Sequence, residues 1–563
     1  MAQDSRRTNR SGRRKALIAV GAVVALLVAA ASVRAFVNLP SSGSRVDNDP
    51  ASGIDPAKDA GALDAVGGSL AAGAPAVPWT IFEHSTSGEQ QVFVRAFKNG
   101  AWVTQGVGTV NGASSASPTF RGSLNFDQTK EAEAPSIDFA GAGRTVPWTT
   151  WYEDNTAPFG HKEIFASRFD QTTGKWVFAG QGRPGTGGPP SLNIDVTKDA
   201  ENPSVFGGAA VAGNNPGPWV VWQEQGPTKD QIFVVKPIGP GATVCPPGTK
   251  PTGGAPVGGF CWQQVGVERA PIGAPTLPSL NVDPGREGIE PDITFTGPSD
   301  TVPWVVWYEL NGGGAFGVKN ERVFAAKAVN TGAVSGVVDG GFHWAAVGKG
   351  TGAPQPLDTS ATGAGPCLAS KANENLCTLN KKANADAEDP AVAAGTMTAG
   401  VATVPWVVWS EQVHKTFQIF VARLVNGTHF QIVNGGKPVS TGRTNATNPD
   451  ISFAKLTPYI TWHQRVGHTF KLFVGHFKNA ANPKFVLDSP GGIARSKAGL
   501  TLGVFSPISS DCTANTFNAD GSACQGGAKG IPFFLFNDGA RGKRKIFAEQ
   551  VSGRKRHGRH GDG

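Results

Sequence analysis

The chain has 563 residues, too many for one small core and enough for a repeat array or two to four domains. Its 75 Gly and 41 Pro make up a fifth of it, high for a helical protein but below the share, roughly 25–30%, that marks low-complexity disorder. The formal charge of +8 belongs to the ends: residues 1–34 carry +6 and residues 552–563 carry +3, leaving a body of −1 without the basic footprint of a nucleic-acid-binding protein.

At the N-terminus, Arg6, Arg7, Arg10, Arg13, Arg14 and Lys15 precede an apolar run, Ala16–Val33, that Arg34 closes. A basic stretch before an apolar one is an export signal. The run of 18 residues is also just long enough to span a bilayer. At its start "GRRKALI" (12–18) loosely resembles a twin-arginine export motif. Residues 1–35 are therefore expected to be a signal peptide or an N-terminal membrane anchor. Either places the body outside the cytoplasm, secreted or held on the outer face of the cytoplasmic membrane. Residues 36–60 are expected to be a linker or ring-closing segment.

From residue 61 to 551 the chain repeats itself. "VPWTIFE" starts at Val77, "VPWTTWYE" at Val146, "GPWVVWQE" at Gly217, "VPWVVWYE" at Val302 and "VPWVVWSE" at Val404. Two weaker copies follow, "TPYITWHQ" at Thr457 and "IPFFLFND" at Ile531. Each copy is followed by a run such as "EIFASRF" (163–169) or "QIFVARL" (418–424). Five are preceded by a run such as "APSIDF" (134–139) or "EPDITF" (290–295). A further element carries an aromatic residue, as at Trp102, Trp176, Trp262 and Trp344. These runs are short, rich in β-branched and aromatic residues, and bounded by Gly, Pro, Asn or Asp, which predicts strands. In "PWVVWYE" both alternating faces are apolar, so the strand is buried on both.

Four strands repeated seven times predict an all-β chain, a seven-bladed β-propeller of four-stranded antiparallel blades. Six blades plus an edge module is the alternative. All 14 tryptophans fall in three columns of the repeat, which makes them packing residues first. The last copy lacks its outer strand, and a segment within 36–75 is expected to supply it and hide the edges. Residues 552–563 form a basic tail expected to be disordered.

Six cysteines fall into three close pairs, Cys245/Cys261, Cys367/Cys377 and Cys512/Cys524. None forms CxxC, so local disulfides in an oxidising compartment are expected.

The pattern "P-s-I-x-F", a turn, "P-W-V-V-W-x-E" and then "I-F-V-A-R" resembles the sialidase-like propeller repeats of secreted bacterial proteins, over about 75–551. The resemblance implies architecture. It does not carry catalytic residues: the S-x-D-x-G-x-T-W box of sialidases is absent, and no arginine triad or Tyr nucleophile with an acid partner can be placed. No nucleophile elbow, phosphate loop or dinucleotide motif appears either.

The candidates for a ligand face are an acidic column, Glu83, Glu153, Glu224, Glu309 and Glu411, continued by Gln464 and Asn537, together with His463. The bland alternative is a set of cross-strand ion pairs with the basic column Arg168, Lys236, Lys327, Arg423 and His476. His463, His468 and His476 lie close in sequence but match no zinc motif. Asn125 and Asp127 of "SLNFD", a motif repeated at 191–195 and 279–283, are the residues that would face a calcium ion, although a repeated turn explains them as well. No metal and no cofactor is otherwise expected. The sequence-level expectation is an extracytoplasmic binding module for a cell-envelope polysaccharide or another exported protein. It is expected to be monomeric, without nucleic acid, and to meet the membrane only through its N-terminal segment. The alternative is a carbohydrate-active hydrolase or lyase with its site at the channel mouth.

Overall fold

The computed structural model describes residues 36–552 apart from several segments. The longest of these are 107–121, 181–190, 208–216, 266–278, 311–319, 331–341 and 511–529, with most of 239–258 and 358–369. Seven small antiparallel sheets stand in a ring, a seven-bladed β-propeller. The blades occupy 60–104, 132–178, 200–264, 288–356, 387–432, 446–487 and 508–551. Two-residue strands, Thr249–Lys250 and Gln355–Pro356, add a fifth strand to blades 3 and 4. Each proline motif forms the second strand of its blade.

The outer strand of blade 7 is Phe36–Asn38, paired antiparallel with Val551, Gln550 and Glu549. Strands from the two ends of the chain thus complete one sheet, and the inner strands of blades 7 and 1 are neighbours. A hydrogen bond repeats this closure in side-chain terms. The outer-strand indoles donate to the preceding blade: Trp176 to the Gln105 carbonyl at 3.2 Å, Trp344 to Val265 at 3.1 Å, and Trp262 to Ala179. Each acceptor lies three residues past the corresponding aromatic of its own blade. Trp102 of blade 1 donates to Leu39 at 2.8 Å, three residues past Phe36. The N-terminal strand thus fills the position an outer tryptophan strand has elsewhere.

All 14 tryptophans are at most 6% exposed. Those after the proline meet the next blade edge-on: Trp79 on Phe139 at 5.4 Å, Trp219 on Phe295 at 5.3 Å, Trp406 on Phe453 at 5.7 Å. Those three residues further on pack flat against a phenylalanine of their own third strand, as Trp307 does on Phe324 and Trp462 on Phe473. The edge-to-face and offset geometries are those that the ring quadrupole favours. The indoles are therefore the filling between blades rather than a ligand surface.

Cys245–Cys261 and Cys367–Cys377 are disulfides; Cys512 and Cys524 lie outside the described residues. The second bridge staples the short helix Lys371–Cys377, whose buried Glu374 stands 3.2 Å from Arg286 and 3.5 Å from Arg322. Among the described residues no helix is long and apolar enough to cross a membrane, and residues 1–35 lie outside them.

Candidate functional site at the channel mouth

The register corrects the acidic column at two points. Ala132, Ala200, Gly288 and Ala387 of the inner strands face Glu153, Glu224, Glu309 and Glu411, and Ala446 faces Gln464. In blade 1 the residue so placed is His84, opposite Ala60, not Glu83. In blade 7 the latching acid is Asp538 rather than Asn537. Glu83 and Asn537 stand four residues after the aromatic that follows the proline, whereas the true column stands five after it. They belong with Tyr152, Gln223, Tyr308, Ser410 and His463.

The true column is buried and bonded to backbone. Glu224 accepts from Ile194 and Asp195 N–H at 2.9 and 2.6 Å and from the Trp222 indole at 2.9 Å. Glu153 takes Phe126, Asp127 and Trp151, Glu309 takes Val282, Asp283 and Trp307, and Glu411 takes Lys381, Lys382 and Trp409. Gln464 keeps the indole bond from Trp462 at 3.0 Å. Asp538 reaches Ser496 N–H at 3.0 Å and the Arg495 N–H. The backbone donors belong to the segment joining one blade to the next, and the indole donors to the same strand as the acid.

The asparagine of each joining segment holds the other side. Asn125, Asn193, Asn281 and Asn380 accept from the third strand of the preceding blade at 2.8–2.9 Å. Asp127 and Asp195 accept from the threonines two residues on, a turn that caps the segment. These asparagines and glutamates thus clamp the blade junctions. Among the described residues no group of three or more His, Cys, Asp or Glu is arranged to hold a metal ion.

The basic column is not opposite the acids. Arg168, Lys327, Arg423 and His476 pair with Trp148, Trp304, Trp406 and Tyr459, at the other end of the blade. The expected cross-strand ion pairs therefore do not form. Arg168 lies instead over Phe260 at 5.4 Å and Lys236 over Phe342 at 5.0 Å. Nor do the histidines converge. His463 pairs with Leu472 and bonds the Ser506 hydroxyl at 2.6 Å, while His476 bonds Asp488 at 2.7 Å. Burial pushes His463 down to about 3, so it is neutral at physiological pH.

The residues that line the axis come from the first strand instead. Before its proline each inner strand of blades 2 to 6 places a residue in the left-handed region: Ala134, Asn202, Glu290, Asp389 and Asn448, with φ of 47–52°. The strand bulges there, and the register slips. The bulge turns the N–H groups toward the preceding blade. Ala134 donates to Glu83 at 2.8 Å, Glu290 to Gln223 at 3.0 Å, and Asn448 to Asp389 at 3.0 Å.

After the proline comes a second belt. Asp64 accepts from Ile137 N–H and the Ser136 hydroxyl, both at 2.9 Å. Asp292 accepts from Val392 N–H and the Ser204 hydroxyl, both at 2.8 Å, and Asp450 from Ile508 N–H at 2.7 Å. Inner strands are sheet edges, and these side chains satisfy donors that no further strand can reach.

The two belts wall a cavity of about 260 Å³ at the mouth of the central channel, on the face of the joining segments. Pro135, Pro203, Pro291, Pro390 and Pro507 shape it, and Asp64, Asp292, Asp450 and Glu290 line it with carboxyl groups. A narrower space of about 120 Å³ continues along the same aspartates. Burial pushes the Asp64 carboxyl up to about 7, and the Asp292 carboxylate adds to the shift. Burial lifts Glu290 well above the usual range, with repulsion from Asp389 and a hydrogen bond between the two carboxyls. One second Glu290 oxygen is buried without a hydrogen-bond partner. The sequence did carry a signal for these residues in blades 2 to 6, the acid or serine beside the first-strand proline, but none for Asp64, whose strand has no proline.

No family model matches the chain, and no curated protein matches it. Solved propellers do. A polysaccharide lyase, Uly1, aligns at 9% identity and a TM-score of 0.39, covering 84% of this chain and 88% of its own. The Trypanosoma rangeli sialidase bound to the inhibitor DANA aligns at 10% and 0.37, covering 75% and 56%. A protein of unknown function from Dyadobacter fermentans aligns at 8% and 0.36, covering 80% and 98%. The propeller assignment itself rests on the seven sheets of this chain.

Proposed function

We propose that this chain is an extracytoplasmic binding module that takes a polar ligand, a cell-envelope polysaccharide or a segment of another exported protein, at the channel mouth. The observation that carries this reading is how the acids of the mouth are used. Asp64, Asp292 and Asp450 each accept a backbone N–H of the next blade. Groups held so are rigid acceptors for hydroxyl or amide donors, and they are poorly placed to shuttle protons. The acidic column is likewise spent on joining segments, which leaves it as support behind the mouth. The disulfides fit an oxidising compartment.

One observation favours hydrolysis or lyase chemistry instead. Glu290 and Asp389 share a hydrogen bond between carboxyls, and Glu290 lines the cavity. An acid held protonated beside a carboxylate has the protonation states that glycoside cleavage uses. A glycan and envelope-polymer binding screen on the purified chain separates the two, with product analysis on every polymer that binds. Binding without products, weakened about tenfold in Glu290→Gln, supports the module. Turnover of a bound polymer that Glu290→Gln abolishes replaces it with the enzyme. Absence of both binding and turnover across the screen rejects both.

A further inference from the structure

The two faces of the ring differ, and the described chain both begins and ends on one of them. Third strands run away from the mouth, so their last residues mark the far face. Val551 ends the third strand of blade 7 there, and its partner Phe36 begins the outer strand there. The chain therefore arrives from its apolar run, Ala16–Val33, and departs toward its basic tail, Arg554 to Arg559, on the face opposite the mouth.

That face is basic. Arg168, Lys236, Lys327 and Arg423 occupy one position in four consecutive blades, and Lys98 and Lys478 end the third strands of blades 1 and 6. The acids beside them are bonded within their own hairpins. Asp138 pairs with Arg144 at 2.7 Å, and Asp170 accepts from Thr172 and Thr173. Lys478 and Lys484 stand directly opposite each other and are both exposed. Like charges so placed destabilise a hairpin, and an external anion relieves them. A hairpin of blade 5 on the same side presents Val401, 54% exposed.

We propose that this far face docks on an anionic lipid bilayer, holding the channel mouth away from the membrane. Three features choose a bilayer over another anion. The described chain begins on this face at Phe36, just after the apolar run in sequence, it ends there just before the basic tail, and an exposed apolar tip lies on the same side. Basic residues near an anionic leaflet are drawn to it, and salt attenuates that attraction over a Debye length of about 10 Å at 0.1 M. A body of net charge near zero gains this attraction only through its orientation. The inference is independent of what the mouth binds.

The test is hydrogen exchange on the full chain reconstituted in vesicles of phosphatidylcholine alone or mixed with phosphatidylglycerol. At 0.1 M salt the phosphatidylglycerol vesicles should slow exchange about fivefold in the far-face hairpins 99–100, 171–174 and 426–428. The mouth-side turns 413–416 and 466–469 should be unchanged. The protection should vanish at 1 M salt and in the combined variant Lys175→Glu, Lys478→Glu, Lys484→Glu, all three exposed. Equal exchange in the two vesicle types, or protection on the mouth side, would overturn the proposal. The comparison of lipids with the unaltered chain decides even where the variant fails to fold.

Discussion

Blades 2 to 4 and blade 7 have the same shape and different contents. Blades 2 to 4 carry tryptophan in all three columns, as blade 4 does with Trp304, Trp307 and Trp344. Blade 7 has Phe533, Phe536 and Phe36 at the same positions and is assembled from both ends of the chain. The flat packing survives the exchange: Phe536 lies on Phe547 at 5.7 Å as Trp307 lies on Phe324 at 5.9 Å. The latch also survives, shortened from glutamate to aspartate. What disappears is the indole N–H, which in blades 2 to 6 ties strand to latch. The blade thus needs an aromatic ring for its packing, and the tryptophan nitrogen is an added fastening.

The largest effects should come from removing the ring. Trp307→Ala is expected to cost about 3–5 kcal/mol in denaturant unfolding, from lost burial and a cavity. Phe536→Ala should fall in the same range, and a far smaller loss there would mean that blade 7 is loosely packed. Next is the latch. Glu309→Ala strands the N–H groups of Val282, Asp283 and Trp307 and should cost about 2–3 kcal/mol. Glu309→Gln should cost under about 1 kcal/mol, because blade 6 already uses Gln464 there.

The same acids set the pH response. Burial holds Glu83, Glu153 and Glu309 up at about 8 and Asp64 at about 7. The folded chain therefore keeps protons that the unfolded chain has released, and stability falls as pH rises from about 4.5 to 8. His84 and His463, pushed down by burial to about 4 and about 3, act with the opposite sign below about 6.5, but they are fewer. Melting temperature should be higher at pH 5.5 than at pH 8.5, and Glu309→Gln should flatten the slope. The smallest effect belongs to the far face. Arg168→Ala, which removes a cation from the face of Phe260, should cost about 0.5–1 kcal/mol by the same denaturant assay.

The proline and tryptophan columns made the fold legible because each indole is apolar bulk at a fixed place in a repeat. The missing strand of the last copy even indicated where the ring would close. The site was less legible. Glu83 falls out of its column because in blade 1 the glutamate stands four residues after the tryptophan, not five, a difference that only strand pairing resolves. The latch stayed hidden because its partners are backbone N–H groups, which have no signature in a sequence. Asp292 and Asp450 stand beside a repeated proline and Asp64 in a first strand without one, and which strand faces the axis is set by the closure of seven sheets and not by any local pattern.

Ring closure by the chain ends is the central claim, and a cross-link tests it directly. Val37 and Gln550 are paired across the last sheet. In the double variant Val37→Cys, Gln550→Cys, air oxidation followed by peptide mass spectrometry should find these two positions joined within one chain, with a raised melting temperature. Thiols that stay free, or join only between two chains, would contradict a ring closed in this way.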